Sequence, residues 1–433
     1  MFNELFVFCF LLVFMAIGFC IESGVFNRSN KNLIFDLKRF PILTFCFLLF
    51  YHDYIFINFN LFFNPDGLLY SAAWKEIFVV VLILSLIFIS FFVKMDRAFF
   101  YCTAFIFLFF LQGFFASILV SNSTILDTLL GARGSCFPFM ILVVCFYLPR
   151  IKLDEDQVVN LLFWLVLFPN FLFGLWQYFN VIDVTNLWFY EVFEKKGFQV
   201  ESYNYFRDGI HRPTGFFVGT LEYGATATIG FMALFLSRRG KYSILKICTT
   251  IIMVYISQSR TFFIGIFLFF ILYFCLFKIK NLKMRGGFAI VVIVALFLTV
   301  MSFVYFSSDD LSALSRIYQW SDAVVSLLNN PLGIGYAKVG MGGSVWPDSL
   351  MISYIYIYGI SSVLIFIGMV YLAIISSCLF DLNQQRINMF PSLALLVFLF
   401  FIFFQSLENS PILIFIFILI VNNIKEMKFE VHN

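Results

Sequence analysis

Uninterrupted apolar runs recur along the chain at about 5–21, 40–63, 77–93, 98–120, 137–149, 158–178, 215–236, 242–256, 261–277, 287–306, 350–378, 391–405 and 410–424. They are continuous rather than alternating, which predicts membrane helices and not the strands of an outer-membrane barrel. At about 20 residues per crossing, the pattern predicts an all-α polytopic integral membrane protein with about 12–14 transmembrane helices. The first run, Leu5–Ile21, has no basic residue before it and no small-residue cleavage site after it, so it reads as a retained span. Two polar connections are long, residues 179–214 and 307–349. Both are too aromatic for disorder, and the second should hold an amphipathic helix just before Asn330-Pro331.

Composition agrees with the pattern. The 433 residues are 62% hydrophobic and only 12% charged, far from a soluble domain. The 66 phenylalanines, with abundant Ile and Asn, read as the bias of an AT-rich gene rather than as an aromatic binding surface. Nearly all of the 9 cysteines fall inside apolar runs without CxxC pairs or histidine partners, which argues against metal ligands and disulfides. A net charge of +3 gives no reason to expect a nucleic-acid partner. There is no HExxH, no DxD-type metal pair in an outward connection and no phosphate-loop glycine motif, so neither a metal nor a cofactor is expected.

Charge sets the orientation. Nineteen of the 28 Lys and Arg residues occupy alternate connections, among them Arg28 to Arg39, Lys94 and Arg97, Arg150 and Lys152, Arg238 to Lys246, and Lys278 to Arg285. Those connections should face the cytoplasm, and the Asp154-Glu155-Asp156 run there reads as a solvated face. Both long connections then face outward. Five arginines stand on that outer side, against the charge rule: Arg133, Arg207, Arg212, Arg260 and Arg316. Arg212 and Arg260 open spans seven and nine, where the positive end of the helix dipole disfavours a cation. Each therefore calls for an anionic partner, and guanidinium forks at helix mouths suit a phosphate or diphosphate. The plainer alternative pairs each arginine with a loop carboxylate such as Asp208, Asp309, Asp310 or Asp322, or with lipid headgroups. Arg133, within Gly131-Ala132-Arg133-Gly134 before span five, and Arg207 carry less.

Four stretches resemble the O-antigen ligase and polymerase superfamily of bacterial inner-membrane proteins. They are Arg212-Pro213-Thr214-Gly215-Phe216-Phe217, Ser257-Gln258-Ser259-Arg260-Thr261, Ser315-Arg316 with Trp320, and Asn330-Pro331-Leu332-Gly333-Ile334-Gly335-Tyr336. Each is weak alone; their order and placement carry the resemblance, which covers roughly residues 210–360. It implies an inverting, metal-independent glycosyltransferase of the C-type architecture. The substrates would be undecaprenyl-diphosphate-linked oligosaccharides, with the active site on the periplasmic side of the inner membrane. Arg212 and Arg260 would hold the donor diphosphate, assisted by Arg316 or Arg133, and a chain-length regulator is a further candidate partner. Ligases of the superfamily carry a histidine before the span that follows the large loop; here Val345-Trp346-Pro347-Asp348-Ser349-Leu350 has none. That departure favours a polymerase over a ligase.

A base on the acceptor side would assist inverting transfer. Asp348 is the first candidate and has a competing reading as the N-cap of span eleven. Glu222 and Glu408 are further outward carboxylates near helix ends, and either could instead pair with an arginine. His211 beside Arg212 could bind a sugar hydroxyl or be an ordinary loop histidine. His52 and Asp53 fall within span two, where ionisable groups are costly and often functional; they could equally form a hydrogen-bonded pair facing the bundle. A lipid-linked oligosaccharide flippase remains a rival, although it should place cations along a central cavity, and a purely structural scaffold leaves the helix-mouth arginines unexplained.

Overall fold

The computed structural model describes residues 41–63, 75, 97–147, 155–195, 200–207, 209–237, 242–279, 282–306, 311–340, 343–376, 389–407 and 410–432. The expected spans at 5–21 and 77–93, and the residues Asp208, Asp309, Asp310 and Glu408, lie outside that set. Four described helices are long and apolar enough to cross a membrane: Phe100–Leu119, Ile125–Tyr147, Asp156–Asn180 and Leu350–Ser376. Shorter apolar helices accompany them, and the described strands form one two-stranded hairpin. This is a membrane-embedded helical protein. It divides into two compact units, Met1–Trp74 with Ile151–Ile266 and Gln385–Phe390, and Lys75–Arg150 with Phe267–Gln384 and Pro391–Asn433.

In the first unit, the expected span 40–63 is two helices, Pro41–Leu49 and His52–Phe63, interrupted at Phe50 and Tyr51. A second irregular helix meets it there. Residues Glu155–Asn180 pass through a π-helical segment, Phe163–Leu167, just before Pro169. Proline has no N–H to return to the carbonyl four residues back, that of Leu165. The hydroxyl of Tyr51 donates to that carbonyl instead. A freed backbone group in a membrane span is thus satisfied by a neighbouring segment. On the same helix Lys246 closes another buried contact, donating to Asn160 Oδ1 at 2.9 Å and lying 5.2 Å from the centre of the Phe163 ring.

The long connection 179–214 folds onto this unit rather than trailing from it. Trp188 and Phe189 are buried with Tyr54, Phe173 and Phe216 in one aromatic cluster. Phe216 stacks on Phe173 at 4.8 Å and meets the edge of Tyr54 at 5.0 Å.

In the second unit, helix Ile125–Tyr147 begins a dozen residues before the apolar run expected at 137–149, so Arg133 lies inside a helix and not ahead of one. Helix Leu311–Asn329 occupies the place expected for an amphipathic helix before Asn330-Pro331. The chain then folds back against helices Arg97–Leu119 and Leu350–Tyr358. Ile334 N–H donates to Tyr356 O at 2.7 Å, Gln112 Nε2 donates to Tyr358 O at 2.8 Å, and the hydroxyls of Tyr336 and Tyr358 are 3.0 Å apart. Gly333 and Gly335 have φ of 88° and 80°. A Cβ at 335 would stand 2.2 Å from Ser117 N, and one at 333 would stand 2.3 Å from Ile357 O. Only glycine satisfies both the backbone angle and the space. The Asn330–Tyr336 stretch is therefore a packed plug between helices.

Candidate functional site

A short hairpin presents the first arginine. Phe206 pairs with His211 and Arg207 with Ile210, with Gly209 at φ 77° in the connection. Strand alternation puts Arg207 and Ile210 on one face and Phe206 and His211 on the other. Arg207 Nη1 donates to Gln258 O at 3.0 Å. Arg207, Ile210, Gln258 and Arg260 then line one cleft of about 360 Å³ with Tyr178, Tyr255 and Phe263.

The opposite wall is the turn between helices Ser243–Ile256 and Arg260–Lys278. Gln258 adopts φ 50°, a left-handed conformation usually given to glycine or asparagine at a helix C-terminus. The Ser257 and Gln258 carbonyls lie just beyond the last turn, where the helix dipole is negative. Arg212 Nε donates to Ser257 O at 3.2 Å, and its Nη1 reaches Asn204 O at 3.5 Å. Arg212, expected to open span seven, stands ahead of the non-helical residues before helix Thr220–Ser237 and lies instead against the C-terminal end of helix Ser243–Ile256. Arg260 is exposed and begins its own helix, so it adds a cation to a positive helix end. Two guanidinium groups facing one cleft repel each other, and an anion between them relieves that repulsion.

His211 is 2% exposed. Its Nδ1 lies 3.2 Å from Tyr205 O, and its buried Nε2 has no hydrogen-bond partner among the described residues. Burial pushes its pKa down to about 4; the Tyr205 carbonyl opposes that fall and the Arg212 charge adds to it. The ring is neutral near pH 7, with Nδ1–H donated to Tyr205 O and Nε2 left as an acceptor. Burial raises the Tyr205 phenol, and the negative charge of Glu222 raises it further.

Between Arg212 and helix Thr220–Ser237 the chain is not helical. Gln177 Oε1 accepts from Thr214 N–H at 3.0 Å and Gly215 N–H at 2.9 Å, Asn170 Oδ1 from Phe216 N–H at 3.0 Å, and Asp53 Oδ2 from Val218 N–H at 3.2 Å. Glu222 sits in the first turn of the helix, and its carboxylate folds back over Gly219, where a Cβ would come within 1.8 Å of Oε2. That is the geometry of a capping residue at the third helical position. The N–H groups of Thr214, Gly215, Phe216 and Val218, ahead of span seven, are thus taken by the protein's own oxygens.

The first unit accordingly brings Arg207, His211, Arg212, Glu222 and Arg260 into one region. Arg133, Arg316 and Asp348 belong to the second unit, and Glu408 lies outside the described residues. Asp348 is exposed and exchanges two hydrogen bonds with Gln319, its carboxylate accepting from Nε2 and its N–H donating to Oε1, both at 3.0 Å. It does not cap its helix. Ser349 does, with Oγ accepting from Ile352 N–H at 3.3 Å. Arg316 lies three residues before Gln319 on helix Leu311–Asn329, and Trp320 on that helix packs 5.2 Å from Phe297.

Arg207 is the cleft residue that sequence reasoning undervalued. The Asp208-Gly209 pair flanked by apolar and aromatic residues is a hairpin signal, and it places Arg207 opposite Ile210. Among the described residues no three His, Cys, Asp or Glu side chains gather as a group that could hold a metal ion.

No protein-family model matches this chain, and no curated protein matches it. Fold and site together define a membrane-embedded helical protein with a paired-arginine cleft. Tyr255 and Phe263 on the cleft wall are 66% and 45% exposed, so the cleft combines cationic groups with an apolar flank. That combination suits a ligand with an anionic head and a greasy tail.

Proposed function

We propose that this protein is an O-antigen polymerase of the inner membrane, moving a growing glycan from undecaprenyl diphosphate onto an incoming lipid-linked repeat unit at the periplasmic face. The observation that carries the reading is the cleft shared by Arg207 and Arg260, framed by Arg212 and flanked by apolar side chains. In the reaction an acceptor hydroxyl oxygen bonds to the anomeric carbon of the donor sugar. The bond from that carbon to the diphosphate oxygen breaks, and its electron pair leaves with the diphosphate. The acceptor proton passes to a carboxylate, for which Glu222 is the candidate in the unit that holds the cleft. Negative charge grows on the departing diphosphate, so fixed guanidinium groups stabilise the transition state more than the ground state. The C-type arrangement, with the connections 179–214 and 307–349 presenting sugars, belongs to the same proposal.

The test uses purified full-length protein with a lipid-linked repeat unit, scored for a ladder of products. Arg260→Ala and Arg207→Ala should each reduce laddering by about 100-fold at equal protein level, the cost of losing one charge-stabilising group. Lys in either place should restore only part of it, since charge remains but the fork is gone. A full ladder from both alanine variants rejects the diphosphate site. Glu222→Gln and Asp348→Asn in the same assay distinguish the two candidate bases.

A further inference from the structure

Polar side chains inside apolar spans are costly and are kept for a purpose. Three of them in the first unit, Asp53 on helix His52–Phe63 and Asn170 and Gln177 on helix Phe168–Asn180, all turn to one stretch of backbone. That stretch, Pro213–Gly219, has no helical bonds of its own through Val218, and its residues from Pro213 to Phe217 are buried. A buried non-helical segment must find a partner for each N–H. Gln177 takes Thr214 and Gly215, Asn170 takes Phe216, Asp53 takes Val218, and Phe217 N–H closes on Thr214 O at 3.2 Å. Pro213 has none to place. The account is complete from 213 to 218. Gln177 Nε2 also donates to Gly215 O at 3.2 Å, so its amide grips the strand from both sides.

We propose that Gln177, Asn170 and Asp53 are positioning residues that hold Pro213–Val218 on one path and so set the place of Arg212 beside the arginine cleft. The proposal rests on the reading of that cleft as the donor site. Arg212 directly precedes the held segment, and its guanidinium spans to Ser257 O on the turn that also carries Arg260. The property required of each for this role is a hydrogen-bond acceptor. A displacement of about 1 Å at a reacting centre can cost 100-fold in rate, so loss of the path should register in turnover.

The experiment pairs variants that keep the acceptor with variants that remove it. Asp53→Asn keeps an oxygen for Val218 N–H; Asp53→Leu does not. Gln177→Glu and Gln177→Met form a second pair, which decides the matter if Asp53→Leu fails to accumulate. Two readouts are taken on the full-length protein: amide hydrogen exchange across 213–219 and the product ladder. Asp53→Asn should match wild type in both, while Asp53→Leu should open exchange at Val218 and cut laddering by roughly 100-fold. Three results overturn the proposal: a full ladder from Asp53→Leu with its amides open, amides that stay closed in Asp53→Leu, or a ladder lost in Asp53→Asn with its amides still protected. An inactive wild type with protected amides counts against glycan transfer itself and so is told apart from a failure of the positioning role.

Discussion

His211 is the residue whose environment most constrains its chemistry. It is buried beside a cation, and its pKa falls from 6.5 to about 4. The unfolded chain therefore takes up a proton more readily than the folded one between those values. The histidine's contribution to stability is complete above about pH 6.5, declines as pH falls toward 4, and is constant below. His211→Gln should flatten the part of the thermal-stability profile between pH 6.5 and 4; an unchanged slope shows that the ring is not held neutral in the fold. The place of Arg260 at the start of its helix was legible because hydropathy marks where that span begins. The partner of Arg212 was not legible, since Ser257 lies 45 residues away and offers a backbone carbonyl, which has no sequence signature. Glu222 is the converse case: a glycine three residues before a glutamate at a helix start is a local sign of the place its carboxylate takes, folded back over Gly219.

At the scale of elements, apolar composition located most of the described spans and said little about their interruptions. The break at Phe50 and Tyr51 has no glycine or proline near it, and Tyr51 there donates to a proline-freed carbonyl 114 residues away. Span seven likewise starts later than hydropathy implies: Pro213–Gly219 is apolar yet not helical, held by amide and carboxylate groups from other elements. The Asn330–Tyr336 motif shows the reverse case. It was legible as a motif, and the structure accounts for its glycines through packing. Gly335→Ala would force a left-handed angle on alanine and drive a Cβ to 2.2 Å from Ser117 N. The substitution should cost about 1–3 kcal/mol in backbone strain alone, with the steric clash adding to it. A lowered unfolding temperature in detergent, with the protein still folded, checks this; an unshifted one means the plug yields at no cost.

Orientation belongs to the molecule as a whole, and the active-site argument depends on it. Alternation of nineteen basic residues against nine predicts that the hairpin Phe206–His211 faces outward and the start of helix Ser243–Ile256 inward. A lipid-linked glycan is polymerised where its sugars are exposed, so the cleft and the hairpin must share that side. Ile210 and Tyr242 are both exposed, 45% and 42%, and can each be replaced by cysteine once the 9 native cysteines are removed. A membrane-impermeant maleimide applied to intact spheroplasts should label Ile210→Cys, and Tyr242→Cys only after permeabilisation. The reverse pattern would place the arginine cleft in the cytoplasm, where positive charge needs no special reason, and the case that began with misplaced arginines would lose its premise.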